Sequence, residues 1–174
     1  FVMKALVTTA KKFPEINASI DDVAHEIVYR HYFDFGFAAD TPQGLMVPVL
    51  RGVDTKSINE LAKEIVTLAE RARLGAALRE ELTGSTLTIT NIGAIAGQYA
   101  TPIINHPEVC IVGMYRMVQK PVLISERFHP VPTMNVTITC DHRLIDGAVA
   151  ARVLSFFMNL LKSPEFYAEL TDSK

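Results

Sequence analysis

The sequence predicts a fold that mixes α-helices and β-strands, and three observations predict it. Apolar residues recur at helical spacing through residues 1–13 and 58–74, and residues 148–162, apolar on most faces, make a further helix. Apolar and polar side chains alternate at 85–91 and again at 134–139, as half-buried strands require. The two kinds of segment interleave along 174 residues, a length that suits one domain with a proper core.

The first helix runs from Phe1 to Phe13 and stops at Pro14. Residues 19–30 mix acids with Ile20, Val23, Ile27 and Val28 and read as extended pieces around a turn. Residues 32–37 form a strand, Thr41-Pro-Gln-Gly44 a turn with Gly44 left-handed, and 45–50 a second strand. Ser57 caps a long helix that carries Leu61, Ile65, Leu68 and Ala72 on one face and charges of both signs on the other. Gly75 interrupts it, and a weaker helical turn reaches Leu82. The strand at 85–91 sets Thr86, Thr88 and Thr90 on one side. For Thr86 and Thr88 the simplest reading is β-forming residues at a wet face. A loop rich in Gly and Pro follows and leads into a strand at 109–114. Residues 120–124 and 133–140 are expected to pair around a turn at His129-Pro-Val-Pro132.

Composition narrows the function. A net charge of −2, with charges interspersed, presents no basic face for nucleic acid. Hydrophobic content is 49%, yet no run reaches the length of a membrane span. A subunit that hides apolar surface against copies of itself fits that content. Cys110 and Cys140 lie in apolar strand-like runs and read as buried thiols of a reducing compartment. The five histidines share no metal-ligand spacing, so no metal site is expected. Gly-x-Gly-x-x-Gly, a phosphate loop and a Ser nucleophile elbow are all missing, which argues against redox cofactors, nucleotide hydrolysis and a covalent acyl-serine. Phe1 opens directly into a helical pattern without an initiator Met, so the chain reads as a piece of a longer one.

The chemistry is expected between Cys140 and Ala151. A strand ends there in a short turn that carries His142, and a helix starts at Asp146-Gly147. Neutral imidazole, with an ordinary pKa of about 6.5, is the side chain best matched to taking a proton near neutrality. A lone loop histidine is more often surface decoration, and Asp146 could serve only as the helix N-cap.

The run Asp141-His-Arg-Leu-Ile-Asp-Gly147 resembles the His-x-x-x-Asp-Gly signature of the dihydrolipoamide acyltransferases, the cores of the 2-oxo acid dehydrogenase complexes. Three further stretches are similar to that family and occur in its order: Phe13-Pro-Glu-Ile-Asn17, the run from Phe37 through Asp-Thr-Pro-Gln-Gly-Leu to Val49, and Thr88-Ile-Thr-Asn-Ile-Gly93 with the loop through Pro-Ile-Ile-Asn-His-Pro107. The resemblance implies a two-layer α/β fold in the broad (α+β) sense, a mixed sheet with helices packed on one side, shared with chloramphenicol acetyltransferase. It makes residues 1–174 a catalytic core domain whose lipoyl-bearing and subunit-binding domains lie outside this sequence.

The implied reaction moves an acyl group between a dihydrolipoyl arm and coenzyme A. His142 would take the proton of the attacking thiol, which alone ionises only near pH 8.5. The Thr90 hydroxyl would donate to the oxyanion, and Asp146 would support the loop. The lipoyl group, carried on a separate domain, and coenzyme A are the expected substrates, and no metal is expected. Expected partners are two more copies of the chain, in trimers that build a cage with His142 and Thr90 supplied by different subunits. The oxo acid decarboxylase and dihydrolipoamide dehydrogenase would bind through the other domains. A prokaryotic cytoplasm is expected rather than a mitochondrial matrix. Acetyl or branched-chain acyl groups are expected over succinyl from the wording of residues 91–99. Two rivals are a chloramphenicol-type acetyltransferase and a non-catalytic structural core, which would be expected to lack the His.

Overall fold

A computed structural model describes residues 1–95 and 97–172. In chain order it contains α1 (Val2–Lys12), β1 (Ala18–Asp21), β2 (Glu26–Tyr29), β3 (Phe35–Phe37), β4 (Ala39–Thr41), β5 (Gly44–Met46), β6 (Val49–Leu50), α2 (Ile58–Arg73), β7 (Leu87–Asn91), β8 (Cys110–Met114), β9 (Val118–Ile124), β10 (Arg127–Thr133), β11 (Val136–Cys140), α3 (Gly147–Leu160) and α4 (Pro164–Asp172). Five strands form one sheet in the order β11-β8-β7-β3-β6. Within it β3, β7 and β8 run parallel, while β6 and β11 run antiparallel at the two edges. This is the mixed sheet that the family resemblance implies.

One face of the sheet is apolar. Phe35, Leu87, Ile89, Cys110 and Val112 pack with Leu6 of α1, Leu61 and Leu68 of α2, Val153 and Phe157 of α3, and Phe166 of α4 in a single cluster. The helices therefore cover that face, as expected of a two-layer fold. Local signals explain where they begin and end. Ser57 and Glu60 close a reciprocal capping box at the start of α2. The Lys4 ammonium on α1 donates to the carbonyls of Val53, Asp54 and Lys56, which fastens the segment entering α2 onto the first helix.

The segment 32–50 divides further than expected. Phe35 and Gly36 pair with Leu50 and Val49, and Ala39–Thr41 pairs with Gly44–Met46 in a separate tip hairpin. Gly44 has φ +112°, as the turn demands.

The pairing around residues 118–140 differs from expectation. β9 pairs with β10 around a turn at Ser125-Glu126, both with positive φ, and β11 leaves them to pair with β8. His129-Pro-Val-Pro132 is part of a strand and not a turn. Prolines usually mark turns, but Pro130 stands directly opposite Pro121. Neither ring can donate, so this is a non-hydrogen-bonded pair and the ribbon loses no bond to them.

The second face of the sheet carries the rows Gly36–Thr88–Ile111–Thr139 and Thr90–Gly113–Thr137. Part of it is not wet. Thr86 and Thr88 are 4% and 1% exposed, which corrects the reading of them as solvent-facing β-formers. The loop after β7 folds back over them. Glu108, itself buried, accepts at Oε1 from Ser85 Oγ (2.5 Å), Thr88 Oγ1 (2.8 Å) and Asn105 Nδ2 (3.0 Å). A loop composition of Gly and Pro gives no sign that its last residues will bury threonines.

Candidate active site

The His142 turn is short and tightly held. The Asp141 N–H donates to the Val109 carbonyl at 2.8 Å, and the Asp141 carbonyl accepts from Leu144 and Ile145. Ile145 is 1% exposed and anchors the turn in the core. Asp146 begins α3: its Oδ1 accepts from the Val149 N–H at 2.8 Å. That hydrogen bond is the largest cause holding the Asp146 carboxyl below its ordinary pKa. Asp146 thus acts as the helix N-cap, and among the described residues its side chain has no hydrogen bond to His142. Gly147 is the first residue of the helix.

Two ionic partners flank the histidine. Arg143 lays Nε and Nη2 on the Asp141 carboxylate (2.7–3.1 Å) and reaches Asp22, in the turn between β1 and β2, with Nη1 at 2.7 Å. Residues on both sides of His142 are therefore joined to each other and to a hairpin 121 positions away. The Arg143 contact holds the Asp141 carboxyl below its ordinary pKa. Asp141 and Arg143 stand inside the motif, but nothing in the chain marks Asp22 as their partner. His142 itself is exposed, and among the described residues its imidazole has no hydrogen-bond partner.

Thr90 lies near the end of β7, half-buried, its hydroxyl likewise without a partner among the described residues. Beside it Gly113 leaves room for its neighbours: a Cβ there would lie 2.5 Å from Tyr115 Oη and 2.6 Å from Thr137 Oγ1, so those hydroxyls would have to move. The Tyr115 hydroxyl bonds to both the Ala100 carbonyl and Thr137 Oγ1 at 2.6 Å. A carbonyl only accepts, so the phenol donates to Ala100 and Thr137 donates to the phenol. Asn135 adds a bond to the Gln98 carbonyl at 2.9 Å. The loop that follows Thr90 is thereby strapped down beside it. Neither Tyr115 nor Asn135 falls in a chemical motif of the sequence.

The strand register separates the three expected site residues. Thr90 aligns through Gly113 with Thr137, whereas β11 continues three residues farther to Cys140 before the His142 turn. Two strand spacings and three residues of rise put Cys140 about 14 Å from Thr90, and His142 lies beyond it. His142 and Asp146 sit together at one end of the sheet and Thr90 near the other. One chain does not bring the imidazole and the Thr90 hydroxyl together.

Among the described residues no three His, Cys, Asp or Glu side chains gather as a metal-binding set, and no helix is long and apolar enough to cross a membrane. Burial is the largest influence on the Glu108 carboxyl and raises its pKa, against the pull of its three donors. A raised carboxyl favours folding below the unfolded value and loses that contribution as pH climbs through the folded one. Glu108→Gln removes the titration. Chemical denaturation from pH 4 upward should show wild type losing stability relative to Glu108→Gln as pH rises past the ordinary glutamate value of 4.5. A difference that stays flat with pH would show that Glu108 titrates alike in the folded and unfolded chains.

Comparison with known proteins adds three findings. Residues 1–168 match the model of the 2-oxoacid dehydrogenases acyltransferase (catalytic domain) family. The acetyltransferase component of the pyruvate dehydrogenase complex of Staphylococcus epidermidis is 45% identical over 165 residues, 95% of this chain but 38% of that protein. The chain thus spans about two fifths of the length of such relatives. Two solved structures superpose with a TM-score of 0.88 at 38% identity, covering 92% of this chain and 66% of theirs. One is the Azotobacter vinelandii dihydrolipoamide acetyltransferase, investigated for the role of a serine, a histidine and an asparagine in its catalytic mechanism. The other is the cubic core of a pyruvate dehydrogenase multienzyme complex. Chloramphenicol acetyltransferase, at 15% identity and a TM-score of 0.52 over 91% of the chain and 72% of its own, shares the fold.

Proposed function

The chain belongs to the 2-oxoacid dehydrogenase acyltransferase catalytic-domain family, and from that membership we propose that it transfers an acetyl group between a dihydrolipoyl thiol and coenzyme A. The observation that carries the reading is an exposed imidazole, unpartnered among the described residues, on a turn whose flanking residues are clamped. Such a group is rigidly offered to a substrate and free to exchange a proton with it. Acetyl follows from the relatives, which are acetyltransferases of pyruvate dehydrogenase complexes.

His142 takes the proton of the incoming thiol as its sulfur attacks the thioester carbonyl. The Thr90 hydroxyl donates to the oxyanion, and the imidazolium returns the proton to the departing thiol. Asp146 holds the start of α3, and through it the far side of the turn. Spacing supports these roles. The serine, histidine and asparagine of the A. vinelandii enzyme are separated by 52 and by four residues, as are Thr90, His142 and Asp146. Thr for Ser keeps the hydroxyl, and Asp for Asn keeps an oxygen acceptor able to cap the helix.

The distance between Thr90 and His142 within one chain favours a site completed by a second copy, in trimers that build a larger core like that of the relative. The lipoyl carrier and the complex's other enzymes would come from segments or chains other than these residues. The bacterial relatives favour action in the cytoplasm.

Acetyl transfer from acetyl-coenzyme A to free dihydrolipoamide tests the reading. Thr90→Ala should lose about 10²–10³-fold in turnover, the typical cost of one oxyanion donor, and Thr90→Ser should keep most of the rate. Equal losses for both would assign Thr90 to packing. Transfer to chloramphenicol and not to dihydrolipoamide would reassign the substrate. An assembled chain that transfers to neither would be a structural core.

A further inference from the structure

Cys110 and Cys140 stand directly opposite one another on β8 and β11. Their register neighbours Asp141 and Val109 are hydrogen-bonded, Asp141 N–H to Val109 carbonyl, so the cysteines form a non-hydrogen-bonded pair. Cα atoms of such pairs lie about 4.5 Å apart with side chains on one face, inside the range a disulfide spans. The two sulfurs are 3.9 Å apart and both thiols are free. Cys110 is fully buried, whereas Cys140 is half-buried. The contact between the two sulfurs, and after it burial, raises the Cys110 thiol, and the same contact lowers that of Cys140. The proposed acyl transfer uses neither sulfur.

We propose that Cys110 and Cys140 are a modification site, a dithiol that a hydroperoxide converts to a disulfide, and that this closure displaces the His142 turn. The Cys140 thiolate attacks one peroxide oxygen. The O–O bond breaks, and hydrogen peroxide leaves one oxygen on sulfur as a sulfenic acid and the other as water. The Cys110 sulfur then displaces that hydroxyl. The S–S bond forms, the S–O bond breaks, and the Cys110 proton leaves with the hydroxide as a second water. Two thiols lose two electrons and two protons, and one peroxide becomes two waters.

The consequence reaches the turn because Cys140 is the last residue of β11 and the histidine is two positions on. A disulfide needs the sulfurs about 1.9 Å closer than they stand. The turn beyond Cys140 is braced by Val109 and by the Asp141–Arg143 clamp, so it moves with its strand end. A misplacement near 1 Å can cost about 10²-fold in rate. The effect on activity rests on the acyl-transfer reading; the chemistry at sulfur does not.

The test treats the reduced chain with hydrogen peroxide and follows free thiols, intact mass, acetyl transfer and the imidazole proton signals of the histidines. Expected are loss of both thiols, a mass lower by two hydrogens with no added oxygen, a shifted His142 signal and about 10²-fold slower transfer, all reversed by dithiothreitol. Cys140→Ala should keep its rate and its Cys110 thiol under the same treatment. Cys110→Ala should stop at a sulfenic acid that dimedone traps. Two surviving thiols, or a disulfide linking two chains, would overturn the proposal. So would a disulfide that leaves the His142 signal in place. A reduced protein without transfer activity would sink the acyl-transfer reading instead, while thiol count, mass and His142 signal still decide this one.

Discussion

Replacing His142 by Ala is expected to lower acetyl transfer by about 10²–10⁴-fold and leave the fold intact. Both halves of that result follow from the placement of the side chain. The imidazole is exposed and bonds to nothing in its own chain among the described residues, so its removal opens no cavity and orphans no donor. The structural work of the turn is done by its neighbours: Ile145 in the core, Asp146 on the α3 amides, Asp141 on Arg143, and Arg143 in turn on Asp22. Under the proposed mechanism, what the variant loses is the base. The loss should fall on kcat, since a group that moves a proton in the transition state adds little to ground-state binding. Circular dichroism and thermal unfolding alongside kinetics check both halves. A folded His142→Ala protein with near-normal turnover would end the proposed mechanism.

The second large effect is a recovery. Equal amounts of His142→Ala and Thr90→Ala subunits, dissociated and reassembled together, are expected to regain activity well above either parent. The register of the sheet is the reason. Thr90 and Cys140 are about 14 Å apart in one chain, with His142 farther still, so under the proposed mechanism a working pair would come from two chains. In a ring each interface joins the His142 of one chain to the Thr90 of the next. Random mixing makes about a quarter of those interfaces wild type, where a Thr90→Ala chain supplies its His to a His142→Ala chain. Such an interface is fully competent, so the mixture should approach a quarter of wild-type activity from parents reduced by two orders of magnitude or more. Mass spectrometry must establish the mixed composition of the assemblies. Confirmed mixed trimers that stay at the parents' average would place both residues' work within one chain.

Periodic segments were the legible part of the fold. α2 has a capping box at Ser57 and an apolar stripe through Leu61 and Leu68, and both its start and its buried face follow from local sequence. The His142 turn was legible for the same reason, because strand, motif and helix N-cap occupy a dozen consecutive residues. Long-range pairing was not. Alternation marks residues 118–124, 127–133 and 136–140 equally well as strands and is silent on which pairs with which. Pro130 and Pro132 then drew the turn to the wrong place. Thr88 shows a similar limit: the pattern puts it on the face opposite Leu87 and Ile89, but only the folded loop brings Glu108 and Asn105 over it. The Arg143–Asp22 contact spans 121 positions, and no local rule foresees it.

The ribbon of β9 and β10 has a further consequence, for solubility. A strand that leads a free edge into solvent can template another strand, and that is how native folds begin to stick edge to edge. In this ribbon the positions whose amides turn outward are those of the non-hydrogen-bonded pairs, set in register by Pro121 and Pro130. Along β10 they are Phe128, Pro130 and Pro132, and two of the three have no N–H to offer. An extended neighbour would find carbonyls there but almost no donors, and could not grow the sheet. An arm that exposes Leu123 and Phe128 is thus guarded along its β10 edge against the strand addition from which fibrils start.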